Sequence, residues 1–419
     1  MKNSLTPIRP DSFSGLLFGL EVLRGGMVLL NGPTGCKFYH SAVVDGALLR
    51  STSFDPLSYP EKFYFGQGRI PCTYLDSKDY IYGVEDKLRA LLEDARDRKP
   101  DFIALVNSPG AALIGDDLND LLRSVEGLPL SFAIPTPGYS KPFGQGVAMG
   151  QIALLEAMDL EKKARKKGRV NLLGADLLQN HVLGNLKELK RLLTLAGLEV
   201  GVCFYDESLE DLKRIPEADY NLVFCPETGL DLAKYLEDRF GTPYFIPSFG
   251  QPVAFKGTEE FFKDLKGILD IKIDPVLEEV NRARARAYIF LARYSSLLGL
   301  PKGGTYTLRG PASFLRPLKY FLSDYLGMAP LKISPEGEGY GLHLRGLDIY
   351  KEAEDLDPQL VFGDGNDVAA ASSGPSYCAG IEIQGPTLGY LDVVEKTFYG
   401  PKGGLYLLEL VLNGLKFRN

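Results

Sequence analysis

Short apolar runs typical of strands alternate with amphipathic stretches of helical period along the whole chain. Such alternation is typical of α/β proteins, in which helices cover the faces of parallel sheets. The predicted strands are 27–30, 102–106, 130–134, 170–173, 200–204, 222–224, 244–246, 305–308 and 360–362. The predicted helices are 42–49, 84–98, 147–158, 186–195, 231–239, 275–298, 312–326 and 404–415. The pattern therefore predicts an α/β fold.

Two features of the chain predict domain boundaries. A charge-rich stretch with no apolar face, LEKKARKKGR at 160–169, follows the first three predicted strands, and the long predicted helix 275–298 precedes the last two. We therefore predict three Rossmann-like domains with parallel sheets, at 1–165, 166–300 and 301–419. Because open parallel sheets bind ligands at the carboxyl ends of their strands, functional residues are expected in the loops that follow them.

The composition narrows the function classes. Asp and Glu outnumber Lys and Arg by 54 to 47 in a chain of 419 residues, so we expect no nucleic acid partner held by a general basic field. No apolar run reaches the ~20 residues of a membrane span, and the first residues lack an apolar signal core, which predicts a cytoplasmic protein. Five cysteines are too few for a disulfide framework, and the three histidines do not cluster. Chemistry must then rest on cysteines, carboxylates, backbone amides or a cofactor.

The first candidate site is the glycine turn NGPTGCK at 31–37, between a predicted strand and a predicted helix. Its spacing does not match the phosphate-binding pattern G-x-x-x-x-G-K-S/T. Cys36 stands at the start of the helix, where the dipole is expected to lower the thiol pKa and favour a thiolate, the form that binds iron or zinc. The alternative for Cys36 is a buried structural thiol.

Two more cysteines follow strand or loop signals. Cys72 comes after Pro71, which keeps the chain extended, so Cys72 is expected on a loop and free to face a shared site. Cys225 ends a predicted strand and precedes Pro226, at the ligand-binding edge of the second sheet; the alternative is a small apolar strand residue. Cys203 is expected in the core, and Cys378 is given no role.

These motifs together resemble nitrogenase component 1 proteins. The resemblance is carried by GPTGC at 32–36, YIYG at 80–83 with EDKL at 85–88, LIGDDL at 113–118, PTPG at 135–138, NLVFC at 221–225 with YLE at 235–237 and GTP at 241–243, and YG at 399–400 with GG at 403–404. The family contains nitrogenases, dark-operative protochlorophyllide reductase and the reductive cyclase of nickel-tetrapyrrole biosynthesis. The start RPDS at 9–12 and the pattern GPTGC-x-F-x-H are similar to the last of these.

The resemblance implies three Rossmann-like domains and an ATP-dependent iron–sulfur reductase as electron donor. It implies an iron–sulfur cluster of the 4Fe–4S type at Cys36 and Cys72, and a second metallocofactor near Cys225, which matches a cofactor-binding cysteine of the family. Other family positions differ: no cysteine stands at 11–14, Pro109 replaces a third cluster cysteine, and Tyr399 replaces the cofactor histidine.

An all-cysteine 4Fe–4S cluster needs four thiolates, and this chain has two at the family positions. A twofold homodimer presents the same patch twice, so two copies of Cys36 and Cys72 would supply four ligands to one bridging cluster. The alternative is a heterodimer with a paralogous component 1 subunit that supplies the other cysteines.

Three hypotheses for the function follow. In the first, the chain is the catalytic component of a nitrogenase-like, ATP-dependent reductase that passes electrons through the cluster to a substrate or metallocofactor. In the second, it is a scaffold or carrier for metallocofactor assembly without turnover. The third is a sugar- or nucleotide-binding Rossmann protein, and the lack of a G-x-G-x-x-G pattern after any predicted strand counts against dinucleotides.

Overall fold

The computed structural model describes residues 10–47, 70–138, 141–337, 358–373, 377–387 and 393–416. Within these ranges the strands form three separate sheets, and every pairing between neighbouring strands of a sheet is parallel. Within the same ranges no helix is both long and apolar enough to cross a bilayer. The predicted α/β class with parallel sheets is confirmed.

The first sheet has the order β1-β2-β3. Its strands are β1 (Gly26–Asn31), β2 (Phe102–Asn107) and β3 (Leu130–Ile134). Every residue of β2 is buried, as expected for a parallel strand covered by helices on both faces. The helices of this part are α1 (Ser12–Glu21), α2 (Thr34–Ala47), α3 (Asp79–Tyr82), α4 (Glu85–Asp97), α5 (Leu118–Ser124) and α6 (Phe143–Met158).

The second sheet has the order β5-β4-β6-β7. Its strands are β4 (Lys166–Leu173), β5 (Glu199–Val200), β6 (Ala218–Val223) and β7 (Tyr244–Phe245). Its helices are α7 (Val182–Leu195), α8 (Leu209–Leu212), α9 (Pro226–Phe240) and α10 (Ala254–Lys266).

The third sheet has the order β11-β10-β8-β9. Its strands are β8 (Thr305–Pro311), β9 (Ala329–Glu336), β10 (Leu360–Gly363) and β11 (Ala379–Glu382). The accompanying helices are α11 (Asp274–Leu298), α12 (Ala312–Lys319), α13 (Gly365–Ser372) and α14 (Gly400–Lys416). A π-helical segment, Tyr320–Tyr325, continues α12.

Several elements differ from the sequence prediction. The pattern missed α1 and α10 and the strands β9 and β11, and the predicted strand 200–204 is only the two residues of β5. The strand β4 begins inside the charged stretch, because Lys166 and Arg169 pair with Glu217 at the start of the neighbouring strand. The domain limits 1–165, 166–300 and 301–419 stay a prediction.

Glycines in α6 allow close contact with α1, a helix of the same sheet, and with α9, a helix of the second sheet. A Cβ at Gly144 would lie 1.8 Å from the carbonyl oxygen of Glu227 in α9, and one at Gly146 would lie 1.8 Å from that of Ser12 in α1. No side chain fits at these distances, so glycine is required at both positions. The helix α6 thus joins the first sheet to the second, and one hydrophobic core runs through residues of all three sheets.

Candidate functional site

A row of hydrogen bonds crosses the carboxyl edge of the first sheet. Asn31, the last residue of β1, donates from Nδ2 to Oδ1 of Asn107 at 2.9 Å, and Asn107 donates from Nδ2 to the carbonyl of Pro135 at 3.1 Å. On the other side, the Thr73 hydroxyl donates to Asn31 Oδ1 at 3.0 Å and accepts from the Gly32 amide at 3.0 Å. Asn31 is fully buried, so these bonds form where water does not compete.

Next to this row, backbone hydrogen bonds hold Cys72 beside β1. Residues on either side of Cys72 make backbone hydrogen bonds with Leu30. The Leu30 amide donates to the Pro71 carbonyl at 2.8 Å, and the Leu30 carbonyl accepts from the Thr73 amide at 3.1 Å. Cys72 therefore lies in an extended segment along the outer edge of the first sheet, and not on a free loop as predicted. Its side chain is 3% exposed.

Cys36 lies in the first turn of α2, as the glycine turn predicts. The predicted lowering of its pKa is wrong: burial raises the pKa of the half-buried Cys36 thiol, and the nearby Asp11 carboxylate raises it further. Burying a charged sulfur costs free energy, which opposes the thiolate form that the helix dipole favours.

The pKa of the Cys72 thiol depends on burial and on its charged neighbours, including Cys36. Burial raises the pKa of Cys72, and a charge on Cys36 raises it further, whereas the Tyr74 amide and the Lys37 ammonium lower it. The fold thus brings together two cysteines that are 36 positions apart in the sequence (72 − 36).

His40 connects the first turn of α2 to α1. Its Nε2 lies 2.9 Å from the Ser14 hydroxyl, and its Nδ1 is hydrogen-bonded to the Cys36 carbonyl. The ring is 6% exposed and packs edge-on against Phe13 and Phe18. Burial lowers the pKa of His40 below 6.5, although the Cys36 carbonyl and Asp11 act in the opposite direction.

The two family cysteine positions that this chain lacks lie in the same region. Asp11, within the range 11–14 where the resemblance places the first of these cysteines, caps α1 by accepting from the Ser14 amide at 3.1 Å. Pro109, at the third, follows Ser108, whose amide donates to the Asn31 carbonyl at 2.7 Å. Among the residues that the structure describes, no group of three or more His, Cys, Asp or Glu side chains is placed to hold a metal ion. One chain therefore supplies two thiols and no complete ligand set in its described part.

Cys225 lies at the carboxyl end of β6, at the edge where the sequence predicted it. Its side chain is 2% exposed, and its thiol donates to Oε2 of Glu227 at 3.3 Å. Burial and the nearby charges of Glu227 and Asp176 raise its pKa well above the usual thiol value. A metal at Cys225 would require this thiol to lose its proton beside two acids.

A second hydrogen-bonded row connects Glu227 to Tyr399. Ser313, at the start of α12, donates to Glu227 from its amide at 2.8 Å and from its hydroxyl at 2.6 Å. Gln251 donates to the Ser313 hydroxyl at 2.8 Å and accepts from the Tyr399 hydroxyl at 2.5 Å. The fully buried Tyr399 ring also contacts Phe224, the residue before Cys225, edge-on.

Asp176 is a buried acid that the sequence analysis missed. It follows β4, is 8% exposed, and accepts one hydrogen bond from the Leu178 amide at 2.8 Å. Burial raises its pKa to about 7, and the charges of Glu227 and Glu336 act in the same direction. Its position just after a parallel strand was the available signal. An acid of this pKa exchanges protons near neutral pH.

The arrangement is that of an α/β protein with two regions of interest, the thiols Cys36 and Cys72 at the first sheet and the hydrogen-bonded row from Glu227 through Ser313 and Gln251 to Tyr399, which joins the second sheet to the third. Comparison with solved structures supports the fold. A chain described as "Nitrogenase Cp1 at pH 6.5" matches with a TM-score of 0.71 over 99% of this chain and 94% of its own length, at 16% identity.

Curated relatives match parts of the chain. One of the subunits of the light-independent protochlorophyllide reductase of Synechococcus sp. (strain WH7803) is 28% identical over 238 residues, which cover 52% of this chain and 44% of that protein. The nitrogenase iron-molybdenum cofactor biosynthesis protein NifE of Methanosarcina barkeri is 24% identical over 327 residues, covering 70% of this chain and 66% of that protein. The chain spans about half the length of the reductase relatives it matches.

A sequence profile of the family described as "Nitrogenase component 1 type Oxidoreductase" matches residues 15–416. The chain belongs to this family. The resemblance stated from the motifs is therefore confirmed, and the alternative of an unrelated sugar- or nucleotide-binding Rossmann protein is removed.

Replacing Asn31 with Ala is expected to loosen the Cys72 segment. The change removes the donor to the buried Asn107 Oδ1 and the Asn31 acceptor of the Thr73 hydroxyl, at a cost of about 1–3 kcal/mol for each group left unsatisfied. We expect a lower urea midpoint and faster labelling of Cys72 by a thiol reagent, measured by peptide mass spectrometry on metal-free protein.

Asn171→Ala is the matched control, because Asn171 makes the corresponding bond to Asn221 in the second sheet at 3.0 Å. It should lower stability without changing Cys72 labelling. Equal labelling rates in both variants would contradict the role given to Asn31.

His40 is expected to make stability depend on pH. Its folded-state pKa lies below the ordinary 6.5, so the unfolded chain takes up the proton first. The stabilisation is complete above pH 6.5 and is lost as the pH falls towards the folded-state value. Urea unfolding between pH 7.5 and pH 5 should show a smaller loss of stability in His40→Asn than in the wild type, and an unchanged slope would contradict this assignment.

Proposed function

We propose that the chain is the catalytic component of a nitrogenase-like, ATP-dependent reductase. The observation that carries this proposal is that Cys36 follows β1 in the first turn of α2 and Cys72 pairs beside the end of β1, in a chain of the component 1 family. Thiols gathered at a strand end are the ligands that iron–sulfur clusters use. An ATP-dependent iron–sulfur reductase would supply the electrons, as the family resemblance implies.

The donor set of one chain fits half of an all-cysteine 4Fe–4S cluster. Cys36 and Cys72 are the two thiols, and the described residues near them offer no further group placed as a ligand set. A homodimer would supply the other two thiols from its second copy. When bound, such a cluster accepts and passes on single electrons; the role of the chain is to hold it in a buried place where oxidants do not reach it.

A second metallocofactor at Cys225 stays a prediction. The Cys225 thiol already has a partner in Glu227, and Tyr399 packs against the preceding residue, Phe224. A ligand role would require the thiol to give up its bond to Glu227. Glu227 and Asp176 also raise the pKa of the Cys225 thiol, which disfavours the thiolate that a metal would bind.

A scaffold or carrier for metallocofactor assembly is the second candidate function. It is supported by the similarity to a cofactor biosynthesis protein over 70% of this chain. Oxidation of the reduced protein distinguishes the two functions: a reductase component is oxidised faster when its substrate is added, whereas a scaffold shows only background oxidation.

Iron analysis tests the shared cluster. Anaerobically reconstituted wild type should form a dimer with about two irons per chain, because one four-iron cluster would serve two copies. Cys36→Ser should remove the cluster from both subunits and weaken the dimer, as seen by iron content and light scattering.

Cys378→Ser is the control, a change of another half-buried cysteine outside this region. It should leave the iron content unchanged. About four irons in a monomeric chain, or an iron-free dimer after reconstitution, would exclude the shared cluster; iron that binds only with a second, related subunit would favour the heterodimer.

Cys225→Ala tests the second site. If Cys225 is a ligand, the variant should lose reductase activity while keeping the visible absorption of the cluster at Cys36. Cys203→Ala is the matched control, because Cys203 is also a buried thiol after a strand of the second sheet. Wild-type activity in Cys225→Ala would exclude the ligand role.

A further inference from the structure

The helix α11 carries an apolar seam that is longer than its buried part. Apolar residues recur along the helix at alternating intervals of four and three positions, which is the spacing of a seam that packs against another helix. The members of this seam are Val276, Val280, Ala283, Ala287, Phe290, Tyr294 and Leu297. The first four are buried inside the protein. The seam therefore continues for three positions beyond its buried part.

The distal half of α11, residues 288–298, is open to solvent. Every residue in it is exposed or half-buried. On the seam, Phe290 is 44% exposed and Leu297 is 70% exposed, and Leu298 next to them is 48% exposed. A second helix packed on this seam would remove these apolar side chains from water, which is favourable. Grouped apolar surface of this kind marks an interaction site.

The charges of α11 determine what kind of helix fits the seam. Residues 281–300 contain four arginines and neither Asp nor Glu. Two of the arginines have partners in the same chain, since Arg282 pairs with Glu278 and Arg284 pairs with Glu259. The other two arginines are the ones that lie beside the exposed part of the seam.

Arg286 and Arg293 flank the seam on one side. Each stands one residue before a seam position, Ala287 and Tyr294, and both are exposed. The Arg286 guanidinium lies 5.9 Å from the centre of the Phe290 ring, and neither arginine pairs with a carboxylate in the described part of the chain. A second copy of this helix would bring further arginines and no carboxylate. A helix with Asp or Glu beside its own seam would pair with both arginines, because charges at flanking positions select the partner.

We propose that the distal half of α11 binds an amphipathic helix of another protein, whose apolar seam is flanked by acidic residues. Phe290 and Leu297 pack into that seam, and Arg286 and Arg293 pair with its carboxylates. Burial of the apolar side chains supplies the affinity, and the arginines select an acidic helix over a basic one. The interaction does not depend on a bound cluster.

A synthetic helix tests the proposal on the metal-free protein. The probe is a fluorescein-labelled peptide of three heptads with Leu at both seam positions and Glu at the positions beside them, whose like charges disfavour pairing with itself. We expect saturable binding, measured by fluorescence anisotropy, that weakens at high salt because mobile ions screen exposed charge pairs. The same peptide with Lys in place of Glu should bind about tenfold less tightly or worse.

Substitutions of exposed residues separate the seam from the rest of the helix. Leu297→Ser should weaken binding of the acidic peptide about tenfold, and Phe290→Ser is a second seam variant with the same expectation. Ile289→Ser is the matched control, because Ile289 is 67% exposed on the same helix but lies off the seam; it should bind as the wild type does. Arg286→Glu combined with Arg293→Glu should reverse the preference, so that the basic peptide binds more tightly. Circular dichroism checks that each variant keeps its helix content.

Four results would overturn the proposal. The first is a wild-type protein that binds neither peptide, and the second is an equal loss of binding in Ile289→Ser and Leu297→Ser. The third is a metal-free wild-type dimer that Leu297→Ser dissociates, since the occupant of the seam would then be a second copy of this chain. The fourth is binding to phosphatidylglycerol vesicles without binding to the acidic peptide, which would assign the seam and its arginines to a lipid surface.

Discussion

The buried amide of Asn31 is the constraint on which the first candidate site depends. It stands at the end of an edge strand and makes hydrogen bonds in both directions, to Asn107 in β2 and to Thr73 outside the sheet. Because an unsatisfied amide in the interior is costly, the segment with Thr73 is held along β1. Cys72 precedes Thr73, and the glycine turn with Cys36 follows Asn31. The Asn31 side chain thus stands between the two segments that carry the thiols and bonds to one of them.

The second sheet has a corresponding pair of buried asparagines, but different residues follow its strands. Asn171 and Asn221 form the corresponding pair between β4 and β6, at 3.0 Å. The residues after these strands include Asp176, Cys225 and Glu227, whose surroundings are acidic. The Lys37 ammonium lowers the pKa of the Cys72 thiol, whereas Glu227 and Asp176 raise the pKa of the Cys225 thiol. The cysteines after corresponding strands of the two sheets therefore lie in different electrostatic surroundings.

Hydrogen bonds between elements of the second and third sheets form the row from Glu227 to Tyr399. Glu227 comes from α9 and Ser313 from α12, and their two hydrogen bonds join the second sheet to the third. Tyr399 extends the row from the segment before α14 through Gln251. On the other side, the glycines of α6 bring this helix into close backbone contact with α1 and with α9.

The sequence by itself determined the α/β class, the three sheets and the turn that carries Cys36, because strand and helix periods and glycine turns are local properties. Its motifs also determined the family. It did not determine the pKa of Cys36, the pairing of Cys72 with β1, the contact between Cys225 and Glu227, or the burial of Lys37. The sequence also did not predict the short length of the two-residue strand β5 or the presence of helix α1, because the boundaries of these elements depend on neighbours far along the chain. Burial and pairing between distant segments decide these features, and they exist only once the tertiary structure has formed.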